Sequence, residues 1–413
     1  MTYQKFAPFL VAIILTNTSV AQVDLLQDGS LPYDTTTTVF ANVNLYRCDN
    51  SNSISMEFGE KMVRGGHIDR GIKDRIYGNL ETLNNYGAST YISANAIYFP
   101  ENKKYGFGVG YELTSYQYAQ FSDDLFELVF YGNEGFGNQQ ADLSSSSFLN
   151  YISHTISFTA VEKSTGSFVS LAVHGGFRYM ETSIDKGSLS TSYTNSGEQS
   201  LASEVEINAR YFLSEEFESQ GLFGNNIGVG VNVGYNLKFG KHLVSVQGKD
   251  IGFNYVSGTE LRDTSGTFNF SGIDWDYGSD SNPTSAFESL EDSISPDTRV
   301  SAGKLRVLPA RFKLRYFTPI SKKFSIAITG RYIFDLGFNP EGTAAVNYHL
   351  NQSKTVVWID GTVGGFNRYS VGLGAQIGIG NTSIFTIGTR HATGFFYREA
   401  TALSAYASYA LRL

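Results

Sequence analysis

Eight cationic side chains fall on the polar phase of alternating segments: Arg178, Arg210, Lys238, Arg311, Lys313, Arg315, Arg331 and Arg390. The acids placed by the same phase are Glu112, Glu206, Asp250 and Asp360, so that face carries four surplus positive charges. Arg311, Lys313 and Arg315 share one face of one strand, where like charges repel unless an anion lies opposite. One chemistry for such a wall is selection or seating of an anionic ligand. The other is structural pairing, with wall carboxylates and with Glu57, Glu60, Asp69, Asp74 and Glu81 of a nearby helical stretch.

Other chemistry finds less support. The six histidines are scattered, none forms an HxxxH pair, and the one cysteine, Cys48, has no metal-ligand spacing around it, so no metal site is expected. Gly228-Val229-Gly230 and Gly372-Leu373-Gly374 lie inside alternating segments and not ahead of a helix, which argues against phosphate loops. No GxSxG is present. His154 and His174 are the best candidates for a catalytic pair, but His174 falls on the polar phase and His154 on the apolar one with Ile152, Ile156 and Phe158. A dyad needs both groups on one side. The expectation is a non-enzymatic protein without a cofactor. With 39 acidic against 31 basic residues there is no basic footprint for nucleic acid.

The elements that must position these residues alternate with period two. From Ile227 to Phe239, seven apolar residues oppose glycine, asparagine and lysine without a miss, and similar runs occupy 105–114, 326–334, 371–380 and 403–413. Thirteen residues exceed an ordinary soluble strand and suit a tilted bilayer crossing of about ten residues. With 59 aromatics and 43 glycines in 413 residues, the pattern predicts an all-β fold, a transmembrane antiparallel β-barrel in a bacterial outer membrane. Its expected surroundings are outer-membrane lipid. Fifteen segments read as strands, near 37–46, 89–99, 104–118, 148–162, 165–183, 199–213, 226–240, 241–257, 304–319, 322–338, 341–351, 354–367, 368–380, 381–397 and 400–413. Single-chain bacterial barrels have even numbers, so one assignment in the first half is wrong and about fourteen strands are expected, within limits of twelve and sixteen. The apolar phase slips between Val246 and Ile251, which predicts a bulge near Gly248 to Asp250.

Three segments read differently. Phe6 to Leu15 is apolar, follows Lys5 and precedes Ser19-Val20-Ala21, which predicts a signal peptide over 1–21 and a barrel over 22–413. Residues 54–85 carry Ile68, Ile72, Ile76 and Leu80 at helical spacing and predict short amphipathic helices acting as a lumenal plug. A second helical turn is expected after Ser122. Residues 258–300 hold nine acidic side chains against two basic ones and predict a solvated outer loop, their spacing matching no calcium-binding loop.

The stretch Met56 to Leu80 ending in Asn84-Asn85-Tyr86-Gly87, the segment Leu128 to Asn133, Leu308-Pro309 and Ser370 to Gly374 together resemble a family of uncharacterised outer-membrane barrels. These occur in type IX-secreting bacteria and are similar in general pattern to PorP/SprF-like proteins. The resemblance implies a scaffold or accessory role in secretion or surface attachment, with secretion or surface-assembly proteins as partners, and carries no ligand residues. The physical reading of the lumen keeps an alternative open, a gated channel or transporter for small or hydrophobic solutes. A fatty-acid-transporter barrel of the FadL type has a similar length, but its Asn-Pro-Ala motif is absent; Leu31-Pro32-Tyr33-Asp34 stands there.

Overall fold

A computed structural model describes residues 36–64, 67–132, 134–137, 139–193, 201–214, 226–261, 268–269, 299–334, 337–350, 355–366 and 368–413. The expected signal peptide and most of the acidic 258–300 loop lie outside these residues. Alternation drives the architecture, since each strand turns one face inward and the other outward and only closure leaves no unpaired edge. Fourteen wall positions close into an antiparallel barrel. They are β1 (Val39–Ser51), β2 (Leu83–Tyr98), β3 (Tyr105–Ser122), β4 (Ser146–Glu162) and β5 (Phe168–Tyr193). Next come β6 in two pieces (Leu201–Ser214 and Ile227–Phe239), β7 (His242–Leu261) and β8 in two pieces (Arg299–Val307 and Arg311–Pro319). The circuit is completed by β9 (Phe324–Ile333), β10 (Asn339–Leu350), β11 (Thr355–Gly365), β12 (Tyr369–Ile379), β13 (Ser383–Thr389) and β14 (Ala402–Arg412), which pairs with β1.

The odd strand count is resolved at β6. Segments 199–213 and 226–240 read as two strands, yet both pieces run antiparallel to β5, the first along Met180–Tyr193 and the second along Phe168–Gly175. Both also pair with β7 on the other side. They are one wall strand interrupted in mid-course. Side chains seal the interruption: Ser214 Oγ accepts from the Tyr179 backbone N–H at 3.0 Å, and Asn226 Oδ1 accepts from the Ser257 N–H at 2.7 Å. Backbone polar groups at such a break need internal partners if lipid or packed side chains surround them.

The β2–β3, β4–β5, β6–β7, β8–β9 and β12–β13 turns fall at one end of the barrel with the end of β14, and the helices among the described residues fall at the other, where the short β11–β12 turn also lies. The predicted bulge in β7 is present: the β6–β7 register shifts between Val231 and Val233, and Asp250 has a φ of 55°. A second irregularity, not foreseen, shifts the β4–β5 register between Ile152 and His154 opposite Gly176, whose φ is 61°. It changes which residues of β5 face inward.

Helices α1 (Met56–Arg64), α2 (Arg70–Tyr77) and α3 (Asp123–Tyr131) pack together over the loop-end mouth. Phe58, Ile68, Ile72, Ile76 and Phe126 form their shared core, and α4 (Thr393–Phe396) lies in the β13–β14 connection. Met56 N–H donates to Ala400 O and Glu57 N–H to Arg398 O, tying α1 to that connection. The stretch expected to plug the lumen is therefore a cap, because wall side chains already occupy the lumen.

Inward glycines make room for those side chains. A Cβ on Gly374 would meet the Trp358 ring on the neighbouring strand, and one on Gly234 would meet Phe168. Overpacking typically costs about 1–3 kcal/mol, so Gly374→Val should lower the midpoint of urea unfolding in detergent, whereas Gly361→Ala, with open space around it, should leave it unchanged.

Candidate functional site

The lumen is built from one residue per strand. Tyr46 of β1, Tyr91 of β2, Tyr116 of β3, Tyr151 of β4, Tyr179 of β5 and Phe212 of β6 are all buried and follow one another around the wall. Successive ring centroids are 5.5, 5.6, 6.1, 6.4 and 5.9 Å apart. Tyr406 of β14 is the cross-strand partner of Tyr46, and Trp358 of β11 stacks on it at 6.5 Å. Tyr rings suit this place because each buries an apolar body and still offers a hydroxyl for pairing, as where Tyr91 donates to Tyr116 at 2.7 Å.

Two groups of charges sit against this ladder. In the first, Glu112 of β3 accepts from Lys249 at 2.9 Å and from Arg311, and Asp250 also accepts from Arg311. The Arg311 guanidinium lies 4.8 Å from the Tyr91 ring centre, and His174, 3.6 Å from Asp250, is bonded to Thr155 at 2.9 Å. Two acids and two bases cancel. In the second group, Glu341 of β10 accepts from Arg331 and from Arg390, each at 2.9 Å. Asp360 lies in the same row as Gly372, where a Cβ would strike its carboxylate.

The eight predicted cations therefore separate. Arg311, Arg331 and Arg390 enter the two paired groups. Arg315 is buried beside Phe317, and Lys313 is half-buried on the same inward face. Lys238 keeps the inward phase but is exposed at the turn-end rim, and Arg210 is exposed and paired with Asp185 at 2.7 Å. Arg178 is a correction: the irregularity at Gly176 turns Tyr179 inward and leaves Arg178 exposed on the outer face. The expected surplus of four positive charges included it. The side chain of Glu206 lies outside the described residues.

Sequence reasoning missed Lys249, Arg306 and Glu341. Lys249 precedes Asp250 in the bulge, and there both consecutive residues face the lumen, with 16% and 10% of their side chains exposed. The phase slip was the available signal. Glu341 sits where the β10–β11 register shifts between Asn339 and Gly342. Arg306 stacks on Tyr179 and Phe212 and pairs with Glu181. Four acids of the helical stretch pair away from the lumen. Glu57 pairs with Arg75, Asp69 with Lys61, Asp74 with Arg70 and Glu81 with Arg368.

His154 and His174 occupy opposite faces of the wall, His154 bonded to Tyr111 at 2.7 Å on the outside. Cys48 is buried 3.8 Å from His391 Nδ1. Among the described residues no group of three or more metal-ligating side chains comes together. Below the ladder a cavity of about 60 Å³ is lined by Asn42, Ser93, Asn95, Thr155, Ser157 and Asn232 and by the apolar Phe40, Ile97, Val109, Val161 and Phe168. That holds a few waters. Phe40, Ile97, Phe99 and Val161 form an apolar cluster at the turn end of the same lumen.

In the cap, the Ile72 backbone N–H and the nearby Lys61 hold the exposed Asp69 carboxyl below its usual range. Its contribution is complete above the ordinary carboxylate pKa of about 4 and is lost as pH falls through the depressed folded value. Tyr77, bonded to Glu127 at 2.7 Å, is pushed up to about 12.

A family model described as a family of unknown function, DUF5723, matches residues 33–388. No curated protein matches the sequence. Solved structures with a similar course include a FadL homologue of Pseudomonas aeruginosa, at 9% identity, 90% of this chain, 89% of that chain and TM-score 0.40. The toluene transporter TodX of Pseudomonas putida gives 8%, 97%, 91% and 0.36, and the translocator domain of the autotransporter NalP of Neisseria meningitidis gives 8%, 99%, 95% and 0.31.

Two tests follow from this geometry. Glu341→Gln strands two buried guanidiniums and should destabilise the barrel by about 3–5 kcal/mol in urea unfolding, with most of the loss restored when Arg331 and Arg390 are also changed to Met. Cysteine labelling checks the inverted phase: Arg178→Cys should react with a maleimide in the folded protein, and Tyr179→Cys should not.

Proposed function

The chain belongs to the DUF5723 family of unknown function, and we propose that it is an outer-membrane barrel closed by its own wall. In this reading it is a non-enzymatic scaffold or accessory in secretion or surface attachment, presenting its helical cap at the loop-end mouth. The observation that carries the reading is the lumen itself: a ladder of buried rings lines it from β1 to β6, and Arg311, Arg331 and Arg390 are bonded there to Glu112, Asp250 and Glu341. A conducting pore needs a continuous wetted path, and an anion-selective one needs unmatched positive charge along it. The outward face supports placement in a membrane. Ile227, Val229, Val231, Tyr235 and Phe239 are all exposed, while Asn232 and Asn236 between them are buried.

A gated channel for small or hydrophobic solutes is the second reading, supported by the cavity beneath the ladder. It requires Tyr91 and Tyr116 to move aside. The refolded protein in planar bilayers should give no single-channel current, while the double variant Tyr91→Ala, Tyr116→Ala should give a measurable one. Steady or gated current from the unaltered protein would overturn the scaffold reading in favour of the channel. For the cap, Asp69→Ala and acidification from about pH 7 to about pH 3 should each lower the hydrogen-exchange protection factors over 70–77 several-fold, taken against the intrinsic rate at each pH, leaving the barrel strands protected.

A further inference from the structure

The turn end of the barrel is basic on one side. The β2–β3 turn carries Lys103 and Lys104, the β4–β5 turn Lys163, the β6–β7 turn Lys241 with Lys238 just before it, and the β8–β9 turn Lys322 and Lys323. Against these seven lysines the same turns and strand ends hold only Glu101 and Glu162, and Glu162 is engaged by Lys104 at 2.9 Å. The four turns are consecutive along the wall, so the lysines form an arc from β2 to β9. The described part of the opposite arc, from β12 round to β1, has Gly380, Asn381 and Thr382 in its turn and a single cation, Arg412, at the end of β14.

Two turn lysines stand directly before an outward aromatic residue, Lys104 before Tyr105 and Lys323 before Phe324, and Lys238, on the inward phase at the rim, precedes the outward Phe239. These rings are 49%, 46% and 47% exposed. Lys104 Nζ lies 5.2 Å from the centre of the Tyr105 ring. An aromatic ring at the edge of an apolar band marks the headgroup level of a bilayer, and a lysine beside it places its ammonium among the phosphates. All seven cations are lysine. Arginine forks suit a shaped carboxylate or phosphate pocket, whereas compact charges on flexible stems can follow a fluid, laterally mobile anionic layer.

We propose that this arc is a one-sided collar that holds the phosphate headgroups of anionic phospholipids in the leaflet at the turn end. The proposal rests on the reading of the chain as a membrane barrel, and the test separates the two. The folded protein is reconstituted in phosphatidylcholine vesicles with and without about 30% phosphatidylglycerol, a content high enough to charge the surface. Insertion is checked by heat-modifiable gel migration and protease protection. Association of spin-labelled phosphatidylglycerol and spin-labelled phosphatidylcholine with the protein is then compared by electron paramagnetic resonance.

The expected result is a preference of about threefold or more for the anionic lipid, falling towards one at about 0.5 M salt, where screening is short-ranged. The same loss is expected in the variant Lys103→Gln, Lys238→Gln, Lys241→Gln, Lys322→Gln, Lys323→Gln, which keeps the Lys104–Glu162 pair. If that variant does not fold, the salt dependence of the unaltered protein decides. Equal association of the two lipids in an inserted barrel overturns the collar. Displacement of the lipid by inorganic phosphate, beyond that caused by chloride at matched ionic strength, also overturns it by revealing a discrete phosphate pocket. Failure to insert in either vesicle overturns the membrane reading itself.

Discussion

Burying a guanidinium inside a protein is costly unless an acid and further contacts surround it, and this barrel buries several. Arg311 is held by Glu112 and Asp250 and covered by the Tyr91 ring, and Arg331 by Glu341 and by Tyr46 and Phe338. Asp250 and Glu341 come from the adjacent strands, whereas Glu112 reaches Arg311 from β3, 199 residues earlier. The charges therefore cross-link the inner wall through the lumen. A barrel that spent these contacts on an open pore would leave the same guanidiniums facing water, with less to fix the wall's shape.

The aromatic ladder and the charge groups depend on each other. Rings fill the section between the two groups and keep water away from them, which strengthens each ion pair and raises the cost of breaking it. Tyrosine hydroxyls add further polar contacts, as between Tyr91 and Tyr116 and between Arg331 and Tyr46. Inward glycines complete the arrangement, since Trp358 and Phe168 occupy the space that side chains at Gly374 and Gly234 would need. With the lumen filled by the wall, the helices are free to form a separate cap. Their acids pair mainly with cap and loop cations, and the barrel becomes a rigid mount for that cap.

The barrel was legible because its evidence is local. Period two over thirteen residues from Ile227 to Phe239 forces one apolar and one polar face whatever surrounds the strand. The helical spacing of Ile68, Ile72 and Ile76 and the cap at Ser122 were readable on the same grounds, and Ser122 Oγ does accept from the Leu125 N–H at 3.1 Å. The bulge at Asp250 was visible as a slip of phase. The β6 interruption was not, because both pieces have ordinary alternation and only pairing with β5 and β7 shows that they share one wall position. Arg178 misled for a related reason: the irregularity near Gly176 leaves no break in composition, yet it turns the residues that follow it to the other face, up to a further register shift between Ile184 and Lys186.

Thus the sequence by itself determined the strands, their faces and the even closure they require, since side-chain alternation is a property of each strand alone. Which cation meets which carboxylate, whether the lumen is filled, and on which side of the mouth the helices lie were decided only by the tertiary structure. Those outcomes depend on register and shear between strands far apart in the chain, and a one-residue shift in either sends a side chain to the opposite face.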